Sequence, residues 1–280
     1  MTIHIDKDIE QGSDEWLAAR CGVLTASTIG KLITVGIVGP DAYTCDDCGA
    51  DSYQPCLSKA SKVPKAISGY HSARTDVAAE VAAPLLSIAR TDTANALLRT
   101  LAAERITGHV EPIPVSWDMQ RGTDDEPFAR DAYAEWAGVT VDEIGFAVRE
   151  EEGANVTFKL GYSPDGLPGD DGLIEIKSRR QPRQVETILN DEVPAENLAQ
   201  IHAGMWVMDR QWCDYISYRD GLHLYVKRVH RDPAWDLAVF GAAEYAERTI
   251  RQHVATYTKR VEGLPFVDKR PDLDDIQIGA

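Results

Sequence analysis

Long hydrophobic runs are missing from this chain of 280 residues. No window approaches the ~18 consecutive apolar residues that a membrane-spanning helix requires, so we expect no membrane span. The first residues, MTIHIDKDIEQGSDEW, have neither the basic region nor the apolar run of a secretory signal. These absences predict a protein of a reducing cytoplasm rather than of a membrane or an oxidising compartment.

Cysteine is scarce as well. The chain has 5 cysteines, an odd number at uneven spacing, which argues against a framework of disulfide bonds. No internal repeat or long low-complexity linker divides the sequence, and 44% of its residues are hydrophobic. We therefore expect a single domain over residues 1–280 with a hydrophobic core of its own.

Cations are few relative to anions. The chain has 29 Lys and Arg against 45 Asp and Glu, a formal net charge of −16 at pH 7. Because phosphate contacts need Lys and Arg, this charge balance argues against nucleic-acid binding over a large part of the surface. A local basic groove within an acidic protein remains compatible with the composition.

Helical and strand patterns alternate along the chain. The segment GSDEWLAARCGVLTASTIGKLI predicts two short helices broken at Cys21-Gly22. Helical periodicity returns over residues 73–107, with weak breaks near Pro84 and Asp92, and then over 117–137, 195–208 and 235–261. Strand-like alternation covers residues 144–149, 156–160, 173–178, 213–218 and 222–229. This order predicts an α/β (α+β) domain, with a small mixed sheet flanked by helices.

The segment LGYSPDGLPGDDGLIEIKSRR contains the strongest chemical pattern. Because side chains alternate along a strand, Glu175 and Lys177 share one face, and a turn of this length can bring Asp165 beside Glu175. Two carboxylates at one strand end favour Mg²⁺ or Mn²⁺, and a lysine beside them can stabilise charge on a phosphate. Taken alone, Glu175 and Lys177 fit an ordinary ion pair better than a functional site, and it is the SPDG turn ten residues earlier that favours the site.

Two helices supply further candidates. Glu126 lies within about 20° of Tyr133 and Ala137 on its helix, so it can point into a site from the end of an apolar stripe. It also fits a first-turn glutamate that complements the helix dipole. Gln200 lies in a helix that is apolar almost all round, where a buried amide needs a hydrogen-bond partner. That partner is either a bound ligand or another part of the structure.

Four segments occur in order and at consistent spacing: QGSDEWLAARCGVLTAS, RGTDDEPFAR, SPDG followed by EIK, and LAQIHAGMWV. Together they resemble the YqaJ-type viral recombinases, the phage lambda exonuclease family of the PD-(D/E)XK nuclease superfamily. The resemblance extends from Gln11 to about Asp232, apart from a cysteine-rich segment. It implies a restriction-endonuclease-like core.

The resemblance also implies roles for individual residues. The metal-binding acids correspond to Asp165, Glu175 and Glu126, the motif lysine to Lys177, and the glutamine after the catalytic strand to Gln200. The residues that hold a terminal 5′-phosphate correspond to Arg20, Ser27 and Ser163. An arginine with hydroxyls agrees with phosphate chemistry, although Arg20 also fits a surface cation and Ser27 a helix cap.

The activity that the resemblance implies is a Mg²⁺- or Mn²⁺-dependent exonuclease. It would digest linear double-stranded DNA from the 5′ end and leave 3′ single strands for phage recombination in the cytoplasm of a bacterial host. A phage single-strand annealing protein is the implied partner, and a ring-shaped trimer the implied assembly. Three arginines after the catalytic strand could add local positive charge for DNA or simply begin a solvated helix: Arg179, Arg180 and Arg183.

Two other functions remain open from the sequence. One is a nuclease of the same superfamily with endonuclease action or another polarity. The other is a non-catalytic DNA-binding protein that acts through its cysteine-rich segment.

Residues 40–72 form a loop-rich insert with a metal-binding pattern. Cys45-x₂-Cys48-Gly, followed by Cys56 and His71, has the spacing of a zinc knuckle that three thiolates and an imidazole complete. Phage zinc-binding modules show a similar pattern, including a later His-x-x-Arg, here His71 to Arg74. Free thiols in a loop and an iron–sulfur cluster are the alternatives. We expect Cys21 and Cys213 to be ordinary buried thiols, and His202 to have no catalytic role.

Overall fold

The structure, a computed structural model, describes residues 1–58, 63–112 and 114–268. The α-helices are α1 Asp14–Arg20, α2 Ala26–Ile29, α3 Ser72–Val81, α4 Asp92–Thr107, α5 Trp117–Ala137, α6 Gln181–Asn190, α7 Ala195–Met208 and α8 Pro233–Arg260. The strands are β1 Thr2–Asp6, β2 Leu24–Thr25, β3 Ile33–Ile37, β4 Pro84–Ile88, β5 Phe146–Glu152, β6 Thr157–Tyr162, β7 Gly172–Ser178, β8 Trp212–Tyr218 and β9 Tyr225–His230. None of the described helices has the length and apolar character needed to cross a membrane.

Helix ends follow local capping chemistry. The Ser13 side chain accepts a hydrogen bond from the Trp16 N–H at the start of α1. Helix α5 begins after a Ser116 cap and ends at Gly138, whose left-handed backbone (φ 67°) closes it. The predicted helix over 117–137 is therefore confirmed.

The strands form two mixed sheets and a separate hairpin. The first sheet has the order β1-β5-β6-β2 and the second the order β7-β8-β9, while β3 pairs with β4 alone. Strands β2 and β6 are parallel, as are β7 and β8, and the other pairs are antiparallel. Small mixed sheets flanked by helices confirm the predicted fold class.

Helix α7 lies at the centre of the core. Ten of its residues are buried, from Asn197 to Met208, so the prediction of a helix that is apolar almost all round is confirmed. Trp206 stacks on Phe158 of β6 with ring centroids 6.2 Å apart. A Cβ at Gly204 would come within 2.7 Å of the Tyr162 ring, so glycine at this position lets α7 approach the end of β6.

The predicted helical stretch over residues 73–107 was partly wrong. Strand β4 interrupts it between α3 and α4 and pairs with β3, from Ile37↔Pro84 to Ile33↔Ile88. Strands β3 and β4 lie on opposite sides of the insert in sequence, so local periodicity could not predict their pairing. Strand β1 was also missed, whereas helix α6 agrees with one of the two alternatives given for the arginines after β7.

Candidate active site

One cleft of about 420 Å³ gathers all the residues that the sequence assigned to catalysis and to phosphate binding. It is bordered by α1, α2, α5 and α7 and by the ends of β6 and β7. The predicted residues that line it are Arg20, Ser27, Glu126, Ser163, Asp165, Glu175, Lys177 and Gln200.

Strand β7 presents Glu175 and Lys177 on the same face, as predicted. Lys177 Nζ lies 2.5 Å from Glu175 Oε1, where the carboxylate is completely buried. The same ammonium donates a hydrogen bond of 3.3 Å to Gln200 Oε1 from α7. Burial alone would lower the pKa of Lys177, but the Glu175 and Asp165 carboxylates raise it above its ordinary value. The lysine is therefore held as a cation between two oxygen acceptors.

The turn that precedes β7 brings Asp165 to the same place. Gly166 pairs with Ile174 in an antiparallel bridge, which folds the turn back against the strand. Asp165 Oδ2 then accepts a 2.6 Å hydrogen bond from the Ile176 N–H. Burial, reinforced by the nearby Glu175 carboxylate, raises the pKa of Asp165 well above its ordinary value.

Glu126 reaches the cleft from α5. Its helix turns Tyr133, 1% exposed, toward the core, so the apolar stripe ends at the site as expected. Arg130 connects α5 to the turn that contains Asp165. Its Nη2 lies 2.5 Å from Glu126 Oε1, and its Nε donates to the Asp165 carbonyl at 2.7 Å. Burial raises the pKa of Glu126, against the opposing effect of Arg130.

The acids of the cleft fit a divalent cation. Glu175 Oε1 is buried and makes no hydrogen bond of good geometry, although it lies in ion contact with Lys177. Like charges on neighbouring buried carboxylates are unfavourable without a cation between them, and carboxylate oxygens suit Mg²⁺ or Mn²⁺. In the described part of the chain only a cysteine–histidine group gathers three or more ligand atoms closely enough to hold an ion unaided. A metal in the cleft would therefore complete its coordination with water and phosphate oxygens, as Mg²⁺ commonly does.

An arginine and two serines line the same cleft at the α1–α2 side. The Arg20 guanidinium lies 4.1 Å from the Trp16 ring centroid, in cation–π geometry. Trp16 Nε1 donates to Ser163 Oγ at 2.9 Å, and Ser27 Oγ lies 3.1 Å from Thr25 Oγ1. Helix α1 therefore positions both the cation and one of the hydroxyls.

The arginines after β7 are engaged by other side chains. Arg179 donates to Asn197 Oδ1 and to the Tyr215 hydroxyl. Arg183 pairs with Glu186 and Glu196, and Arg180 pairs with Asp118. Of these arginines, Arg180 has a partner that lines the cleft.

The insert brings its predicted ligands together. The ligand atoms of Cys45, Cys48, Cys56 and His71 all lie within 4.8 Å of one another. The knuckle closes at Gly49, whose N–H donates to the Cys45 carbonyl at 2.7 Å with a left-handed backbone (φ 69°). The Leu57 N–H donates to Cys48 Sγ and is the main cause that lowers the pKa of that thiol to about 6. Three sulfurs and one nitrogen at this spacing suit tetrahedral Zn²⁺.

Arg74 provides an independent test of the fit to zinc. Its side chain is completely buried in the insert, and one of its nitrogens contacts Cys56 Sγ at 3.6 Å. Its other described acceptors are the backbone carbonyls of Tyr43, Ala50, Asp51 and Gln54. A buried guanidinium without a described carboxylate partner needs a negative charge nearby. Three thiolates with one Zn²⁺ would carry that negative charge.

The remaining cysteines and His202 differ in their surroundings. Cys213 is buried as expected, whereas Cys21 is only partly buried and its thiol donates to the Glu104 carbonyl at 3.4 Å. The His202 ring stacks on Trp235 at 4.8 Å. The imidazole therefore packs in the core, as its angle on the helix indicated.

Sequence reasoning missed two side chains that organise the site. Tyr162, buried at the end of β6, donates a hydrogen bond of 3.2 Å to Glu175 Oε2. Trp16 contacts both Arg20 and Ser163. A signal for Tyr162 was present, because it alternates with the buried Phe158 and Leu160 and directly precedes the SPDG turn. No local signal indicated the contacts of Trp16.

Comparison with known protein families places the chain in one of them. The model of the YqaJ-like viral recombinase domain matches residues 70–211, just over half of the chain. This protein belongs to that family. The matched segment contains the cleft acids, Lys177 and Gln200. A phage zinc finger domain family, for which DNA binding has been suggested, matches residues 11–94 and includes the insert. No curated protein sequence matches the chain.

Solved structures share the fold of this recombinase domain. The alkaline exonuclease LHK-Exo from Laribacter hongkongensis is 25% identical with a TM-score of 0.64, over 90% of this chain and 100% of that one. LHK-Exo in complex with dAMP is likewise 25% identical with a TM-score of 0.62, over the same shares of the two chains.

Proposed function

We propose that this chain is a Mg²⁺-dependent deoxyribonuclease of phage recombination that digests linear double-stranded DNA from its 5′ ends and leaves 3′ single strands. The observation that carries the proposal is a single cleft that holds both an acid–lysine group and an arginine–hydroxyl group. The first group suits hydrolysis of a phosphodiester, and the second suits a terminal phosphate. Similarity to an alkaline exonuclease, and to its complex with dAMP, supports the same activity.

The acids would hold the metal. Asp165 and Glu175 would bind Mg²⁺ or Mn²⁺, with Glu126 completing the protein's share of the ligands. The chemistry that such an ion supplies is a lower pKa for water and partial neutralisation of charge on the phosphate. Tyr162 orients Glu175 for this task through its hydrogen bond to Oε2.

Lys177 would donate hydrogen bonds to the attacking water or to the reacting phosphate. A protonated lysine has hydrogen-bond donors and no acceptor, so it can orient the attacking water and stabilise the charge that develops on the phosphate. Gln200 holds the ammonium from α7 and limits its freedom. The lysine and the acids therefore serve different parts of one reaction.

The second group would select DNA ends. Arg20 has the planar fork that binds phosphate oxygens in pairs, and Ser27 and Ser163 add hydroxyl donors. A terminal 5′-phosphate carries more charge than an internal phosphodiester, so this group favours ends over continuous strands. That preference distinguishes an exonuclease from an endonuclease of the same superfamily.

The insert and the partners complete the proposal. A structural Zn²⁺ on Cys45, Cys48, Cys56 and His71 would order the insert without taking part in hydrolysis. By resemblance, the product strands pass to a phage single-strand annealing protein, and a homo-oligomeric ring encloses the duplex.

Digestion of linear duplexes labelled on either end tests this activity. Wild-type protein with added Mg²⁺ should remove the 5′ label first, prefer a 5′-phosphate to a 5′-hydroxyl, and leave covalently closed circles intact. Cleavage of circles would identify an endonuclease. Binding to duplex without hydrolysis in Mg²⁺ or Mn²⁺ would favour the non-catalytic DNA-binding protein.

A matched pair of lysine variants tests the assigned chemistry. Lys177→Ala should abolish digestion, since it removes the donor beside the acids, and leave folding and DNA binding largely intact. Lys159→Ala is the control, because Lys159 is also a strand lysine paired with a glutamate, Glu150 at 3.3 Å, but does not line this cleft. Digestion by Lys177→Ala at the wild-type rate would refute the mechanism.

A further inference from the structure

Two arginines converge on one carboxylate at the edge of the cleft. Arg180 donates to both oxygens of Asp118, at 3.0 and 2.8 Å. Arg121 Nη1 donates to Asp118 Oδ1 at 2.5 Å. Asp118 itself lines the cleft that contains Lys177.

Catalytic strand β7 contributes to this cluster. Arg121 Nε donates to the hydroxyl of Ser178 at 3.0 Å, and Ser178 directly follows Lys177. The Arg121 side chain is 12% exposed, so the packing of α5 against β7 holds it in place. The Asp118 and Arg180 side chains are 51% and 67% exposed, so both can move without disturbing the core.

A carboxylate held in this way has the charge and shape of a phosphodiester. Each presents two oxygens that share one negative charge, and arginine forks bind both groups in the same geometry. An exposed ion pair contributes little net stability, so exchanging Asp118 for another anion costs little. A polyanionic substrate in this cleft would bring such an anion to the two arginines.

We propose that Arg121 and Arg180 form a second phosphate-binding subsite, for the nucleic-acid backbone, and that Asp118 occupies it in the free protein as a phosphate mimic. The inference rests on the proposed function, since it assumes that DNA enters the cleft. It also explains how a chain of net charge −16 keeps a local cationic site without leaving both guanidinium groups open to other anions.

Asp118→Asn tests the mimic. The variant should bind a fluorescent duplex about fivefold more tightly than wild type, because the amide competes weakly for the arginines. Binding is measured without added divalent cation across a range of salt concentrations. Asp124→Asn is the matched control: it removes the same charge from an exposed part of α5, where Asp124 accepts a hydrogen bond from Gln120 outside the cleft lining.

Arg180→Gln tests the subsite from the other side. It should weaken binding about fivefold and reduce the slope of log K against log salt by about 0.9, the effect of one phosphate contact. The gain from Asp118→Asn should shrink in the Arg180→Gln background, because the two changes act on one site.

The outcomes separate this inference from the proposed function. If wild type binds and digests DNA but Asp118→Asn matches Asp124→Asn in affinity, the subsite is refuted and the nuclease stands. If Asp118→Asn lowers the melting temperature without raising the affinity for DNA, Asp118 has only a structural role between α5 and α6, and the subsite is refuted. A wild-type chain that binds no duplex would refute both.

Discussion

The phenol of Tyr162 donates a 3.2 Å hydrogen bond to Glu175 Oε2 in the interior of the protein, where the two residues are 2% and 0% exposed. The contact joins the end of β6 in one sheet to β7 in the other. A proposed metal ligand therefore depends on a residue that does not itself bind metal.

Tyr162→Phe should raise the Mg²⁺ concentration needed for half-maximal digestion by about tenfold, because an unsupported ligand is less well oriented. The free energy of unfolding should fall by only about 1 kcal/mol. Digestion rates measured against Mg²⁺ concentration check this prediction. Tyr225→Phe is the control, since it removes a similar hydroxyl contact, 3.1 Å to Asp191 Oδ1, that lies away from the cleft. Equal Mg²⁺ requirements in the two variants would contradict the role of Tyr162.

Arg20→Gln should reduce the preference for 5′-phosphorylated over 5′-hydroxyl ends by at least about tenfold, because the guanidinium supplies charge-assisted bonds to the terminal phosphate. Rates on the two duplexes, taken as a ratio for each protein, give the preference directly. Arg99→Gln, on the exposed side of α4, is the control for loss of an arginine. A ratio unchanged from wild type would show that the terminal phosphate is held elsewhere.

Arg74→Met should make the insert lose its metal. The change removes a buried cation and leaves four backbone carbonyls without their donor, at a cost on the order of 3 kcal/mol. We expect wild type to carry one Zn²⁺ per chain, and the variant to release it to a competing chelator much faster. Metal analysis and release kinetics measure both effects, with Arg99→Met as the matched control. Retention of zinc at the wild-type rate would argue that the guanidinium does not balance the thiolates.

His202 should make the protein less stable in mild acid. Burial against Trp235 lowers the pKa of His202 to about 4, below its ordinary value of 6.5. Between pH 4 and pH 6.5, His202 therefore binds a proton in the unfolded chain but not in the folded chain. The free energy of unfolding falls as the pH drops from 6.5 to 4. His202 accounts for a loss of about 3 kcal/mol in the free energy of unfolding over this pH range.

His202→Phe keeps a flat ring against Trp235 and removes that titration. Its unfolding free energy, measured in urea from pH 7 to pH 4, should fall less steeply than that of wild type. His4→Phe on the exposed strand β1 controls for a general effect of the substitution. Parallel pH profiles for wild type and His202→Phe would contradict the assignment.

Local chemistry explains what could be predicted from the sequence. The bounds of α5 follow from a serine cap and a terminal glycine, and the shared face of Glu175 and Lys177 follows from strand alternation. The β3–β4 pairing could not be predicted, because its partners are separated by the whole insert. The same limit applies to Trp16, whose contact with Ser163 depends on the pairing of β2 with the distant strand β6.

The placement of the insert in the β3–β4 hairpin has a consequence for dissecting this protein. Ile37 pairs with Pro84, and the Val38 N–H donates to the Ala83 carbonyl at 2.9 Å. The segment that contains the insert and α3 therefore leaves and rejoins the hairpin at adjacent points. A two-residue turn such as Asn-Gly can bridge strands that meet in this way. The insert and α3 can therefore be removed or exchanged together, and any activity that the remaining chain keeps would belong to the cleft alone.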